Sequence, residues 1–348
     1  MEAQKNLTVI LNQALDRGIT FQEALGLLKV EGKSFEKLLR VARTVTDREV
    51  GRVLRIYNPS RMFPSISVTG GACELRCAHC NSHYLQHMIP ALTPDRLYQV
   101  CLNLYREGAV GCLISGGSNI EGHVPLEPYV DAIKRIKKDT DLVLNVHTGL
   151  LSSNLARGLS EAEIDVASID VVGDDETITG IYGLNKTVKD YEKAIDNHLK
   201  AGIKHIVPHI CVGLNFGKIS GEIKALKMIE KINPELLVFI TIIPTRGTLM
   251  EKVTPPKPET VVKIIAIARL MFRKTSISLG CMRPGGIRRG KLDSLALNVV
   301  DRIAVPTPRA LKEAEALGLK IEKYNSCCAL PNEFESRIKE KILKRNQI

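Results

Sequence analysis

The chain has 348 residues, 44% of them hydrophobic and 25% charged, and 49 Lys and Arg against 38 Asp and Glu give a formal charge of +11. Those proportions exclude a disordered or low-complexity chain, and the longest apolar run, Leu236 to Ile243, is far too short to span a bilayer. Aromatic content of 4% leaves few stacking platforms for nucleic acid, so neither nucleic acid nor membrane is expected as a partner. An acidic protein suits the surplus charge better. The nine cysteines are an odd number, and no secretory signal is expected, so reduced cysteines in a cytoplasmic protein are read here rather than a disulfide framework.

Residues 1–60 carry helical periodicity without strands: Val9, Ile10 and Ala14, then Phe21, Ala24, Leu25, Leu27 and Leu28, then Phe35, Leu38, Leu39, Val41 and Ala42. Thr20 and Ser34 are the expected N-caps of the second and third helices. From there, short β-branched runs alternate with amphipathic helices, the pattern of parallel βαβ units. The strand candidates are Ser65–Thr69, Val110–Ser115, Leu142–Val146, Val166–Val171, His205–Val212, Leu236–Ile243, Ser276–Leu279 and Asp301–Val305. Eight strands with intervening helices predict an α/β fold, a (β/α)8 TIM-type barrel over 61–306, with an N-terminal helical segment at 1–60 and a C-terminal extension at 307–348. In such a barrel the loops after the strand C-termini build the working face.

The loop after the first of these strands reads Gly70-Gly71-Ala72-Cys73-Glu74-Leu75-Arg76-Cys77-Ala78-His79-Cys80-Asn81. Three thiols in one loop point to a metal. A [4Fe–4S] cluster is normally held by four Cys, so Cys73, Cys77 and Cys80 would leave one iron open to a small molecule. A Cys3His zinc site with His79 fits the same spacing. Other strand ends on that rim are polar or Gly-rich: Ser115-Gly116-Gly117-Ser118, Ser168 and Asp170, Val212-Gly213-Leu214-Asn215-Phe216-Gly217, and Pro244-Thr245-Arg246-Gly247. Cys101 and Cys112 read as core, Cys211 as core or rim, and His147 and His209 as residues ending strands.

Cys73, Cys77 and Cys80 at the end of the first strand, with Ser115-Gly116-Gly117-Ser118 after the second, resemble the radical S-adenosylmethionine (SAM) superfamily over residues 50 to 305. The resemblance implies a [4Fe–4S] cluster on the three cysteines, with SAM chelated to its open iron. It places Gly116 and Gly117, after Ser115, at the methionine amino group and Ser168 and Asp170 at the ribose or sulfonium. Val212, Gly213 and Asn215, with backbone around Ile243, would line the adenine. The family usually has an aromatic residue where this chain has His79.

Within the superfamily, the length and helical entry look most like biotin synthase and its relatives, the nearest match being a component of the two-protein lipoyl synthase of archaea. Where biotin synthase places a cluster-ligating Arg after a Ser-small-Gly run, this chain has Ser278-Leu279-Gly280-Cys281. Cys281 on the rim, with Cys327-Cys328 in a turn-like segment folding back over the barrel mouth, is therefore expected to hold an auxiliary iron–sulfur cluster that donates sulfur. The resemblance implies sulfur insertion into a protein-bound octanoyl chain. Its partners would be a homologous sister radical SAM protein, an octanoylated lipoyl-carrier protein or peptide, and an electron donor such as a ferredoxin. Alternatives are sulfur insertion into a small free substrate, a radical rearrangement or dehydrogenation without sulfur transfer, and an iron–sulfur or zinc binding module without activity.

Overall fold

The computed structural model describes residues 2–59 and 61–345. Three helices, α1 (Glu2–Gln13), α2 (Phe21–Leu27) and α3 (Gly32–Glu49), precede the sheet. Thr20 caps α2, and the Glu23 carboxylate returns to the Thr20 amide at 2.7 Å, the reciprocal bond that a Thr-x-x-Glu spacing permits. Ser34 does not cap α3. That helix begins at Gly32 behind an extended Glu31, and Ser34 lies in its first turn.

The strands and helices then run β1 (Val53–Tyr57), β2 (Ser65–Ser67), β3 (Ile89–Pro90), α4 (Pro94–Arg106), β4 (Gly111–Ser115), α5 (Val130–Asp139), β5 (Val143–His147), α6 (Ser153–Glu161) and β6 (Val166–Asp170). They continue as α7 (Asp175–Tyr182), α8 (Val188–Lys200), β7 (Ile206–Val212), α9 (Glu222–Ile229), β8 (Leu236–Thr241), α10 (Pro258–Met271), β9 (Ser276–Leu279), α11 (Gly286–Ala296), β10 (Arg302–Ala304), α12 (Pro308–Ala316), β11 (Lys320–Tyr324) and α13 (Glu333–Arg345). The eight strands expected from the sequence are β2 and β4 to β10.

All eleven strands are parallel in one sheet, in the order β11-β1-β10-β9-β8-β7-β6-β5-β4-β2-β3. Parallel strands covered on both faces read as unbroken apolar runs, as Leu236–Thr241 does. Among the described residues no ladder joins the β3 edge to the β11 edge, so the sheet is an open curl of eleven strands rather than a closed ring of eight. β1 and β11 were not expected. β1 carries Arg55 in its centre, and β11, Lys-Ile-Glu-Lys-Tyr, is a polar edge strand that pairs with β1 alone.

The outer face of the sheet and the helices share one large apolar core, in which α10 is buried along nearly its whole length. The inner face has a smaller one. There Val143, Val166, Val207 and Leu236, at the starts of β5 to β8, converge on Phe334 and Ile338 of α13. The C-terminal extension therefore closes the floor of the curl, at the N-terminal ends of the strands, and does not fold over the mouth as expected. Glu335 fixes it there: its carboxylate meets Arg55 Nε at 3.0 Å, Arg302 Nη2 at 2.9 Å, and the hydroxyls of Tyr57 and Tyr324 at 2.5 and 3.1 Å. A charge so enclosed needs such partners, and residues far apart in sequence supply them.

Candidate metal centre and cofactor rim

The loop from Gly70 to Ser82 leaves β2 at the C-terminal edge of the sheet. Three of its non-glycine residues, Arg76, Asn81 and Ser82, have φ of 46°, 42° and 64°, a conformation costing about 1–3 kcal/mol each. Surrounding bonds hold it. Ala78 donates to the Ile181 carbonyl at 2.8 Å, Met250 donates to the Ala78 carbonyl at 3.2 Å, and Cys80 and Asn81 both donate to the Cys77 carbonyl. The strain brings the Cys77 and Cys80 sulfurs and a His79 ring nitrogen within 4.8 Å of one another; among the described residues this is the one His/Cys/Asp/Glu group of three so gathered.

Cys73 lies beside them, its thiol 3.7 Å from the Ser118 carbonyl. The Cys77 contact and neighbouring His79 hold the Cys80 thiol well below the usual thiol range, while the same contact and burial push Cys77 up. His79 Nδ1 is buried without a hydrogen-bond partner, and its ring stands edge-on to Tyr182.

The Ser115–Ser118 turn is joined to this loop. Gly117 donates to Thr69 Oγ1 at 2.7 Å, Thr69 Oγ1 donates to the Ala72 carbonyl at 2.8 Å, and Glu74 donates through its amide to the Ser118 carbonyl at 2.9 Å. A Cβ at Gly117 would sit 2.0 Å from the Ala72 oxygen and 2.6 Å from Cys73 Cα. Glycine is thus required by close packing against the metal loop. Thr69 and Glu74, whose carboxylate also takes the Ile120 amide at 2.8 Å, were not singled out from the sequence; a Thr next to the first Gly of the loop was the available signal.

The remaining expected SAM contacts fall elsewhere on the inner face. Ser168 is buried one step below the rim and donates to Asn145 Oδ1 at 2.8 Å. Asp170 ends β6 and, with Asn215, lines a cavity of about 30 Å³ that also touches His209, Cys211 and Glu222. That volume holds a water or two. Gly213 has φ 78°, its amide is already bonded to Glu222 at 2.8 Å, and Pro256 fills the space a side chain would need. Val212 is buried and Ile243 half-buried beside it. The structure therefore joins Ser115, Gly116 and Gly117 to the cysteine loop, gathers Asp170 and Asn215 around a separate small cavity, and sets Ser168 deeper.

His147 and His209 face each other with ring centroids 5.5 Å apart, and burial together with His147 pushes His209 down to about 4. Cys211, beside Asp170, is pushed up by burial. Cys101 and Cys112 are buried core neighbours, their sulfurs 3.9 Å apart.

A second group of thiols lies deeper. Cys327 accepts from Asn145 Nδ2 at 3.8 Å and from the Ala329 amide at 3.5 Å. These donors, after the Cys328 thiol, hold Cys327 below the usual range. Cys328 is buried near Ser278 and Arg302. Cys281 is an exposed residue on the loop after β9 whose thiol is turned inward, where burial and then Cys328 push it up to about 11. The three are electrostatic neighbours, but their sulfurs do not all lie within 4.8 Å of one another. Asn145 was not singled out. Its signal was a lone amide in the apolar strand Val-Leu-Asn-Val-His.

A family model described as the Radical SAM superfamily matches residues 67–218, from β2 to the loop after β7. Those residues carry a radical SAM domain. The radical SAM domain implies a [4Fe–4S] cluster and SAM, and the three thiols beside a glycine cradle are a donor set that fits such a cluster. The chain is similar to the biotin synthase of Citrifermentans bemidjiense (24% identical, 73% of this chain and 76% of that one) and to that of Acetivibrio thermocellus (24%, 90% and 99%). Its fold is similar to that of HydG, a maturase of the [FeFe]-hydrogenase (TM-score 0.71, 16% identical, 98% of this chain and 82% of that one), and of methylornithine synthase (0.63, 17%, 90% and 97%). Among the described residues no helix is long and apolar enough to cross a membrane.

Proposed function

We propose that this radical SAM enzyme inserts sulfur at an unactivated C–H bond, with Cys73, Cys77 and Cys80 holding the [4Fe–4S] cluster and Cys281, Cys327 and Cys328 holding an auxiliary one. The substrate is a protein-bound octanoyl chain, modified in concert with a homologous sister protein and an electron donor such as a ferredoxin. One observation carries the reading: the C-terminal extension brings two adjacent thiols, Cys327 and Cys328, up through the floor toward Cys281.

When bound, the first cluster with SAM supplies a 5′-deoxyadenosyl radical that removes a hydrogen atom, and the second supplies sulfide sulfur. The chain's own residues do the rest. Thr69, Gly117 and Glu74 fix the cysteine loop against the Ser115–Ser118 turn, Asn145 and the Ala329 amide orient Cys327, and the inner-face side chains exclude water.

Iron and sulfide content of the wild type against Cys281→Ala and a Cys327→Ala/Cys328→Ala double variant tests this. Loss of about one cluster's iron in both is expected; unchanged content would end the sulfur-donor reading. Mass spectrometry after turnover with an octanoylated peptide, set against dethiobiotin, then separates it from sulfur insertion into a small free substrate, which similarity to the biotin synthases favours.

A further inference from the structure

We propose that the rim formed by the loops after β7, β8, β9 and β10 is the docking surface for an acidic protein domain, one that presents its substrate at the mouth beside Cys281. The proposal deepens the reading of a carrier-borne substrate and rests on it.

These four strands are neighbours in the sheet and parallel, so their following loops share one edge. Contacts knit the loops together: Arg288 Nη1 donates to the Pro255 carbonyl at 3.1 Å, Arg289 Nη2 donates to the Val305 carbonyl at 2.6 Å, and a Cβ at Gly217 would sit 2.3 Å from the Thr254 oxygen. A surface so braced meets a partner with little ordering cost.

Its chemistry is of two kinds. Leu249 and Ile287, 86% and 94% exposed, are the two most exposed large aliphatic side chains among the described residues. On the loops after β7 and β8, Lys218, Arg246 and Lys252 are exposed and form no ion pair among the described residues. Across the loops at 213–221, 242–257, 280–285 and 305–307 the one carboxylate is Glu251, which accepts the Gly247 amide at 2.9 Å; beside Ile287 and Lys257 stand Glu31 and Glu259, the latter paired with Lys291 at 2.5 Å. Unpaired cations around protruding aliphatic anchors complement an acidic partner with an apolar patch at its centre. Nucleic acid is disfavoured because Phe216 is a lone exposed ring on this rim, where a strand of bases needs successive stacking platforms. A lipid surface is disfavoured because Leu249 stands on the loop after β8 and Ile287 in the first turn of α11, instead of both along one amphipathic helix. Cys281, exposed on the loop after β9, lies within this sector, so a domain seated there has its substrate arm at the opening.

The test uses the full chain, an octanoylated acidic lipoyl-carrier domain, and a short octanoyl-lysine peptide. Binding of the carrier by fluorescence anisotropy is expected to weaken with salt, and to weaken at least about tenfold in a Lys218→Glu/Lys252→Glu variant and again in Ile287→Asp. SAM cleavage and KM for the short peptide are expected to stay unchanged in both variants. A wild type that does not bind the carrier, variants that bind it equally well, peptide turnover that falls in step with carrier binding, or tighter binding to single-stranded RNA or anionic vesicles would each overturn the proposal. Carrier binding that weakens in the variants supports the surface even if neither substrate gains sulfur, a result that would overturn the sulfur-insertion reading alone.

Discussion

Replacing Gly117 by Ala adds one methyl group where the fold has no room for it. The new Cβ would lie 2.0 Å from the Ala72 oxygen and 2.6 Å from both Cys73 Cα and Cβ. Restoring ordinary contact requires the start of the cysteine loop to retreat by about 1 Å, an overpacking that costs about 1–3 kcal/mol. The retreat also pulls against the Gly117 to Thr69 bond at 2.7 Å and the Thr69 to Ala72 bond at 2.8 Å. Gly116 is the control, since a Cβ there meets Thr69 Oγ1 at 3.1 Å and Val68 Cγ2 at 3.2 Å, contacts that side-chain shifts of a few tenths of an ångström relieve. After anaerobic reconstitution, Gly117→Ala is expected to keep the wild-type far-ultraviolet spectrum but to lose most of one cluster's iron, and SAM cleavage to drop about 10²-fold, the usual penalty for misplacing reacting groups by 1 Å. Gly116→Ala is expected to retain its iron. Full iron and undiminished SAM cleavage in Gly117→Ala would refute the claim that this contact sets the loop's position.

Removing the Glu335 carboxylate leaves Arg55 and Arg302 enclosed with Asp301, at 3.9 Å from each, as their remaining shared carboxylate, so Glu335→Ala is expected to destabilise by about 3 kcal/mol in denaturant titration and to raise hydrogen exchange in 326–340 above the rest of the fold. Exchange unchanged in that segment would show that the apolar floor contacts suffice. His198 is buried against Thr148 Oγ1 and the Ala194 carbonyl, and burial pushes it down to about 4 from 6.5. The unfolded chain therefore binds the extra proton first as pH falls below about 6.5, and the stability present above that pH declines toward pH 4. His198→Gln is expected to flatten this acid limb of the melting curve, and an unaltered slope would assign the acid loss to other groups.

Legibility in the sequence followed the range of the interactions involved. β8 announces itself through consecutive apolar residues, because both faces of a parallel strand are covered. The cysteine loop is as plain, since its three thiols fall within eight positions after a strand. β1 and β11 were hidden because what makes them strands is remote. Arg55 is tolerated on an inner face because Glu335, 280 positions away, and Asp301 lie against it, and β11 needs β1 to pair with at all. The direction from which Cys327 and Cys328 enter was hidden for the same reason. Nothing near Asn325–Pro331 distinguishes the mouth from the floor; that choice is made by Phe334 and Ile338 meeting the first inward residues of β5, β6 and β7.

Locally held and remotely held thiols differ in how they can be lost. The Cys73–Cys80 loop is fixed by backbone bonds to α7 and the loop after β8 and by the Gly117 contact, all at the rim, so it persists as long as the sheet edge does. Cys327 and Cys328 hang on a C-terminal segment anchored by side chains alone, Glu335 against Arg55 and Arg302, Glu333 against Lys204 and His205, and a few apolar groups, a unit able to open sub-globally at less than the full unfolding free energy.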